Sequence, residues 1–185
     1  VRGYAIRVML QMGPAAAAAV PELVEVMKSQ DLTPELRREA NFALGAVGPQ
    51  AASAVPLLIE SLNDKVPEVR YSACYALGNI GPKASAATPA LRQNLSVKDS
   101  FLRLGSVWAL LQINPGDAQI AQAAAPLLAM AMDDPREHIR AEAARSLGSV
   151  GSYAEPYRGK LQAALNDDSM EVRAAAAAAL AKLGQ

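Results

Sequence analysis

Six of the apolar-Arg pairs in this 185-residue chain fall in one register, at Val1-Arg2, Leu36-Arg37, Val69-Arg70, Leu102-Arg103, Ile139-Arg140 and Val172-Arg173. The steps between these arginines are 35, 33, 33, 37 and 33. Three residues after each Arg stands Ala or Ser, and seven residues after it stands Met9, Leu44, Leu77, Leu110, Leu147 or Leu180. Eleven residues after it come Gly13, Gly48, Gly81, Asn114, Gly151 and Gly184, with Pro next at 14, 49, 82 and 115 and Ser152 in the fifth copy. Six registers with fixed internal offsets demand a repeated unit of about 33 residues, and a period of that size marks an array in which no unit buries its apolar face alone.

The offsets translate into helices. In VRYSACYALGNIG, residues Val69, Ala73, Ala76, Leu77 and Ile80 fall on one side at helical period. Gly81 suits the left-handed position that ends a helix, and Pro82 forbids resumption. A second helix starts near Pro21, Pro56, Pro89 and Pro126, after a short turn, because Pro costs about 3 kcal/mol inside a helix but little at its first position. Leu23, Leu58, Leu91, Leu128 and Leu161 then align on its inner side, as do Met27, Leu62, Leu95, Met132 and Leu165. Hydrophobic residues make up 51% of the chain but aromatics only 4%, so the apolar content is mostly Ala, Leu and Val, suited to closely packed helices and leaving no room for strands. The units are 1–34, 35–67, 68–100, 101–137, 138–170 and a partial sixth, 171–185, in a single array.

The segments VRYSACYALGNIGPKASAATPAL, LRREANFALGAVGPQAASAVPLLIESLND and IRAEAARSLGSVG resemble the HEAT-repeat superfamily, in particular its short HEAT-like (PBS-lyase-like) repeats. The resemblance spans essentially the whole chain and implies an all-α fold, a right-handed α-solenoid (an α-α superhelix) of stacked helical hairpins. It also implies first helices on a convex side, second helices on a concave side, and protein partners as the default role. The family's Asp-Arg pattern is present: Asp31, Asp64, Asp134 and Asp167 each lie six residues before an anchor Arg, while the third-to-fourth junction has Val97 there and Asp99 nearby. The expected structure is a ladder in which Asp caps the next helix and pairs with Arg along the stack, through Arg37, Arg70, Arg103, Arg140 and Arg173.

The departures from the repeat are where binding is expected. The fourth unit is longer, in INPGDAQIAQAAAP, with Asn114 standing in for the left-handed Gly; the extra length reads as a loop insertion or as a bend that touches a partner. Five residues after the anchor stand Arg7, Phe42, Tyr75, Trp108, Arg145 and Ala178. That position lies far from the core stripe, so Phe42, Tyr75 and Trp108, with Tyr71 and Leu104 beside them, form a ridge that either packs between first helices or meets a partner. On the second helices, Glu25, Glu60, Gln93, Met130 and Ala163 are expected to be exposed, running from acidic to neutral and apolar.

Chemistry finds little support. Eighteen basic against eighteen acidic residues give no basic footprint for nucleic acid or an acidic membrane surface. One histidine, His138, and one cysteine, Cys74, supply neither a metal cluster nor a nucleophile-base pair. The acidic doublets Asp133-Asp134 and Asp167-Asp168 read as helix-start caps, and no Gly-rich phosphate loop occurs. No cofactor is expected. The function expected is a non-catalytic protein-interaction scaffold; the alternative is a subunit or domain of an enzyme such as a bilin lyase. No signal peptide and no uninterrupted apolar stretch long enough to span a bilayer stands out, and location stays open. The chain opens inside a first helix and stops where a second should begin, so the sequence reads as part of a longer array, with Ala175, Ala179 and Leu180 expected at an open end that invites self-association.

Overall fold

The structure, a computed structural model, describes residues 2–29 and 31–184, with every side chain among them except that of Arg2. Val1, half of the first anchor, and Gln185 lie outside the described residues. Those residues form eleven α-helices and no strand: α1 (Arg2–Met12), α2 (Val20–Met27), α3 (Pro34–Val47), α4 (Val55–Ser61), α5 (Pro67–Ile80), α6 (Thr88–Gln93), α7 (Ser100–Ile113), α8 (Ala118–Ala131), α9 (Glu137–Leu147), α10 (Arg158–Ala163) and α11 (Met170–Leu183). The fold is an all-α solenoid. Its contacts divide it into two compact units, 1–115 and 116–185. In the first, α1, α3, α5 and α7 pack side by side in chain order, and α4 and α6 pack against the first helices of the following units. In the second, α9 packs on α8 and α11, and α10 on α11.

The hairpin is made by its punctuation. α3 and α5 stop at Gly48 and Gly81, whose φ values of +74° and +68° only glycine adopts without strain. A seven-residue 3₁₀ segment follows each, 48–54 and 81–87, in place of the short turn that spacing suggests. Ala51 and Ala54, and Ala84 and Ala87, are fully buried in these segments. Pro21, Pro56 and Pro89 then sit in the first turn of α2, α4 and α6, where the missing amide would have had no helical acceptor. Leu44, Leu58, Leu77, Leu91, Leu128, Leu147 and Leu161 are completely enclosed. Such leucines each hold the stack by about 2–5 kcal/mol, the cost of truncation to Ala.

The fourth unit differs from its sequence-based expectation. Asn114 is not left-handed, at φ −125° and ψ 65°; Gly116, two residues on, takes that conformation at φ +82°. The added residues form helix, not loop. Asp117 Oδ1 accepts the amides of Gln119 and Ile120 at 2.9 and 3.0 Å, which starts α8 early. Pro126 is therefore inside α8 rather than at its beginning.

The end of the chain also departs from expectation. Gly184 has φ −90° and is not a left-handed stop. Ala175 and Ala179 are buried and Leu180 half-buried, because that side of α11 lies on α9; a Cβ on Gly148 would stand 2.6 Å from Ala179 Cα. The open side of α11 carries Ala174, Ala177, Ala178 and Ala181. The run Pro34–Ser61 is apolar and long enough to cross a bilayer, the one such run among the described residues. It is broken at Gly48, and Ala40, Ala43, Leu44, Val47, Ala51, Ala54 and Leu58 within it are core residues.

Candidate partner-binding faces and the struts behind them

The anchor arginines are structural clamps. Arg37 donates Nε and Nη2 to the Asp64 carboxylate at 2.8 and 3.1 Å and Nη1 to the Leu32 carbonyl at 2.6 Å. Arg140 grips Asp167 in the same way, at 2.8 Å through both nitrogens, with Nη1 on the carbonyls of Asp134 and Pro135. Arg70 holds the Asp64 carbonyl at 2.9 Å and reaches Asp99 at 3.6 Å. Arg103 holds the Val97 carbonyl, and Arg173 those of Asp167 and Asp168. Each clamp ties down its own turn; Arg37, Arg70 and Arg140 also cross to the carboxylate of the following turn. Asp31 is exposed, and its counterpart one unit back is Arg2, whose side chain lies outside the described residues.

The carboxylates do not cap the next helix as spacing suggests. Asp64, Asp134 and Asp167 accept the amides of Val66, Arg136 and Ser169, two residues on, at 2.9 Å. They close an Asx turn before the helix begins, because the anchor spacing leaves them two residues short of its N-cap position. Thr33 caps α3. Asp99 is the exception: it caps α7 through the amides of Phe101 and Leu102 and accepts the Tyr71 hydroxyl at 2.7 Å. Of the doublets, Asp133 bonds Lys160 rather than a helix start.

Partial burial pushes the carboxyls of Asp64 and Asp99 up, but their hydrogen bonds outweigh it and both are held below the usual carboxylate range. For Asp64 these come from Arg37 and the Val66 amide, and for Asp99 from Tyr71 and the α7 amides, with Arg70 adding its charge to both. Asp167 is lowered chiefly by its Arg140 bonds. Burial, then the Asp99 bond, pushes the Tyr71 hydroxyl up to about 12.

The aromatic row is built across three first helices. Phe42 meets Tyr75 edge-on at 5.4 Å, and Tyr75 stacks on Trp108 at 6.0 Å with the planes 7° apart. Two mid-helix glycines make room. A Cβ on Gly78 would stand 2.2 Å from the Trp108 ring, and one on Gly45 3.2 Å from the Tyr75 ring. Tyr75 is 44% exposed, whereas Phe42 and Trp108 are half-buried. Tyr71 lies outside the row, against Phe101 at 4.4 Å. Leu104, expected beside the ridge, is buried, because distance from the core stripe on one helix's wheel does not by itself leave a side chain open. The sockets at Gly45 and Gly78 carry a signal the spacing argument overlooked: each glycine follows an aromatic by three residues.

On the second helices, Glu25, Glu60, Gln93, Met130 and Ala163 are all exposed. Between the first two units a groove of about 530 Å³ is lined by Pro21, Glu22, Val24, Glu25 and Ser53. Glu25 pairs with Lys28 at 2.6 Å, and both remain more than half exposed. The groups that could do covalent chemistry are elsewhere and poorly disposed. Burial pushes the Cys74 thiol up to about 11 despite its contact with Ser106. His138 is on the surface. Among the described residues no cluster of His, Cys, Asp or Glu is arranged to hold a metal.

The family model for HEAT repeats matches residues 20–111 and 124–185. The chain belongs to the HEAT-repeat family. No curated protein matches it. Solved structures do match this HEAT array. An engineered protein from a structural-genomics consortium aligns with a TM-score of 0.68 and 23% identity over 98% of this chain and 90% of its own. A designed armadillo repeat protein, solved with the peptide (KR)4, aligns at 0.69 and 20% over 97% and 92%. The karyopherin Kap121p, bound to the extreme C-terminus of the protein phosphatase Cdc14p, aligns at 0.69 and 18% over 99% of this chain and 21% of its own. At these identities the likeness is one of fold.

Proposed function

We propose that this HEAT array is a non-catalytic scaffold that binds a protein segment along its second helices. The observation that carries the reading is the groove at Pro21, Glu22, Val24, Glu25 and Ser53, an apolar floor with carboxylates at its edge. Glu60 continues the acidic row one unit further. Apolar contact with charged rims is how helical grooves take extended or helical peptides, and the acids favour a basic partner. The likeness to a designed repeat protein solved with (KR)4 and to karyopherins solved with protein segments supports the reading. The high Cys74 thiol and surface His138 support a non-catalytic role.

Tyr75 is the alternative contact, on the first-helix side, as the exposed member of the Phe42–Tyr75–Trp108 row. The test is peptide binding to the purified chain, with basic peptides and sequence-scrambled and acidic controls, by fluorescence anisotropy. Reversal of Glu22, Glu25 and Glu60 to Lys is expected to weaken binding at least about tenfold, a loss of some 1.4 kcal/mol or more. Tyr75→Ala is expected to leave it unchanged. The reverse pattern moves the site to the aromatic row, and loss with neither variant ends both assignments.

A further inference from the structure

The second helices α2, α4 and α6 are unevenly charged. Twenty-three places after the anchor Arg stand Glu25, Glu60 and Gln93, all exposed. Twenty-two places after it stand Val24, Ile59 and Arg92. Val24 and Ile59 are apolar and half-buried, whereas Arg92 is exposed. At α6 an acid gives way to an amide on one row, and an apolar side chain gives way to a guanidinium on the next. Both changes move the face in the positive direction, and both fall in the same unit.

These charges do little for the fold. Opposite charges that clamp the array, such as Arg37 and Asp64, meet in two bonds at 2.8 and 3.1 Å and are partly buried. Glu60 and Arg92 stand on consecutive second helices, both exposed, and neither has an ion pair or a side-chain hydrogen bond among the described residues. Glu25 is shared only with Lys28, in an exposed pair of the kind that contributes little and yields to a competing partner.

Granted the segment-binding role proposed for the second helices, we propose that the segment is one of mixed charge, basic where it crosses α2 and α4 and acidic where it crosses α6, with its acid on Arg92. Packed helices lie about 10 Å apart, so α6 is about 20 Å from α2, and an extended chain at about 3.3 Å per residue covers that span in about six residues. An even separation also puts the base over Glu25 and the acid over Arg92 on the same side of an extended chain. A wholly basic segment meets repulsion at Arg92, and a wholly acidic one meets it at Glu25 and Glu60.

The test is fluorescence anisotropy on the 185-residue chain at low salt, with short labelled peptides. Each carries a Lys-Arg pair and, at the matching distance, Glu, Gln or Lys. All are made in both chain directions, since the face sets the order of charges and not the direction of the backbone. In the better direction the Glu peptide should bind about fivefold tighter than the Lys peptide, with the Gln peptide between them, and the difference should fade at high salt. Arg92→Glu should invert that ranking; Arg92 is exposed, so circular dichroism should show wild-type helix content. Glu25→Lys with Glu60→Lys should weaken all three peptides. Equal binding of the three to wild type, or an unchanged ranking with Arg92→Glu, overturns the mixed-charge segment alone if the Glu25 and Glu60 reversal still weakens binding. Binding by none of the peptides, or no loss on that reversal, overturns the groove reading as well.

Discussion

Gly78 shows how much one missing methyl group can matter. Its Cβ would stand 2.2 Å from the Trp108 ring, on which Tyr75 is stacked. Gly78→Ala gains helix propensity of about 1 kcal/mol but forces the indole out of its socket, so the expected net effect is destabilisation by about 1–3 kcal/mol in urea unfolding. Trp108→Ala destabilises as well, yet Gly78→Ala should cost nothing further in a Trp108→Ala background. That coupling, measured as a double-mutant cycle, is the check. A different behaviour attaches to Asp64, Asp99 and Asp167, whose carboxyls are all lowered in the folded chain. A lowered folded value means the unfolded chain binds protons more readily. The stability these groups contribute is therefore complete above the ordinary carboxylate range near pH 4 and drains away as pH falls through it. Urea midpoints for the wild type should hold from pH 7 to pH 5 and drop below pH 4. Asp64→Asn plus Asp167→Asn should start lower at pH 7 and fall less steeply.

At the level of the helix, the prolines are a natural contrast. Pro56 sits in the first turn of α4 and Pro126 in the middle of α8. Pro56→Ala should therefore destabilise slightly, by about 0.4–1 kcal/mol, through a looser unfolded chain. Pro126→Ala should stabilise, by up to about 3 kcal/mol, because it restores an amide inside a helix. Thermal melts of the two variants should move in opposite directions. The same contrast marks the limit of reading this chain from spacing. Gly48, Gly81 and the first-turn prolines were legible because each is a backbone constraint local to its own few residues. The early start of α8 was not, since it depends on Asp117 winning two amides that a loop would leave to water. Nor was the burial of Leu104, which the wheel of α7 alone sets away from the core stripe. In the site, periodicity alone set Tyr75 off the core stripe and Glu25 on the exposed side of its helix, but the glycine sockets needed the distance between two helices.

Across the whole molecule, stability accrues from neighbour to neighbour, as expected where each unit touches only adjacent ones. α5 is the most enclosed helix of the first unit, with Val69, Ala73, Ala76, Leu77 and Ile80 at 0% exposure, while α1 exposes Tyr4, Leu10 and Met12. Amide hydrogen exchange should therefore rank α5 slower than α3, and α3 slower than α1, by opening free energies that rise inward. An equal rate for α1 and α5 would point to all-or-none unfolding of the unit. The two kinds of joint in this array also differ in what they permit over evolutionary time. The Arg clamp is generic: Arg37 with Asp64 and Arg140 with Asp167 are the same part used twice, so deletion or duplication of one whole unit rejoins compatible halves. The ring-and-glycine joints are addressed, because Gly78 fits Trp108 and no other unit supplies an indole. Recombination between units can therefore change the length of the outer array freely, while the order of the three central units is written in their side chains.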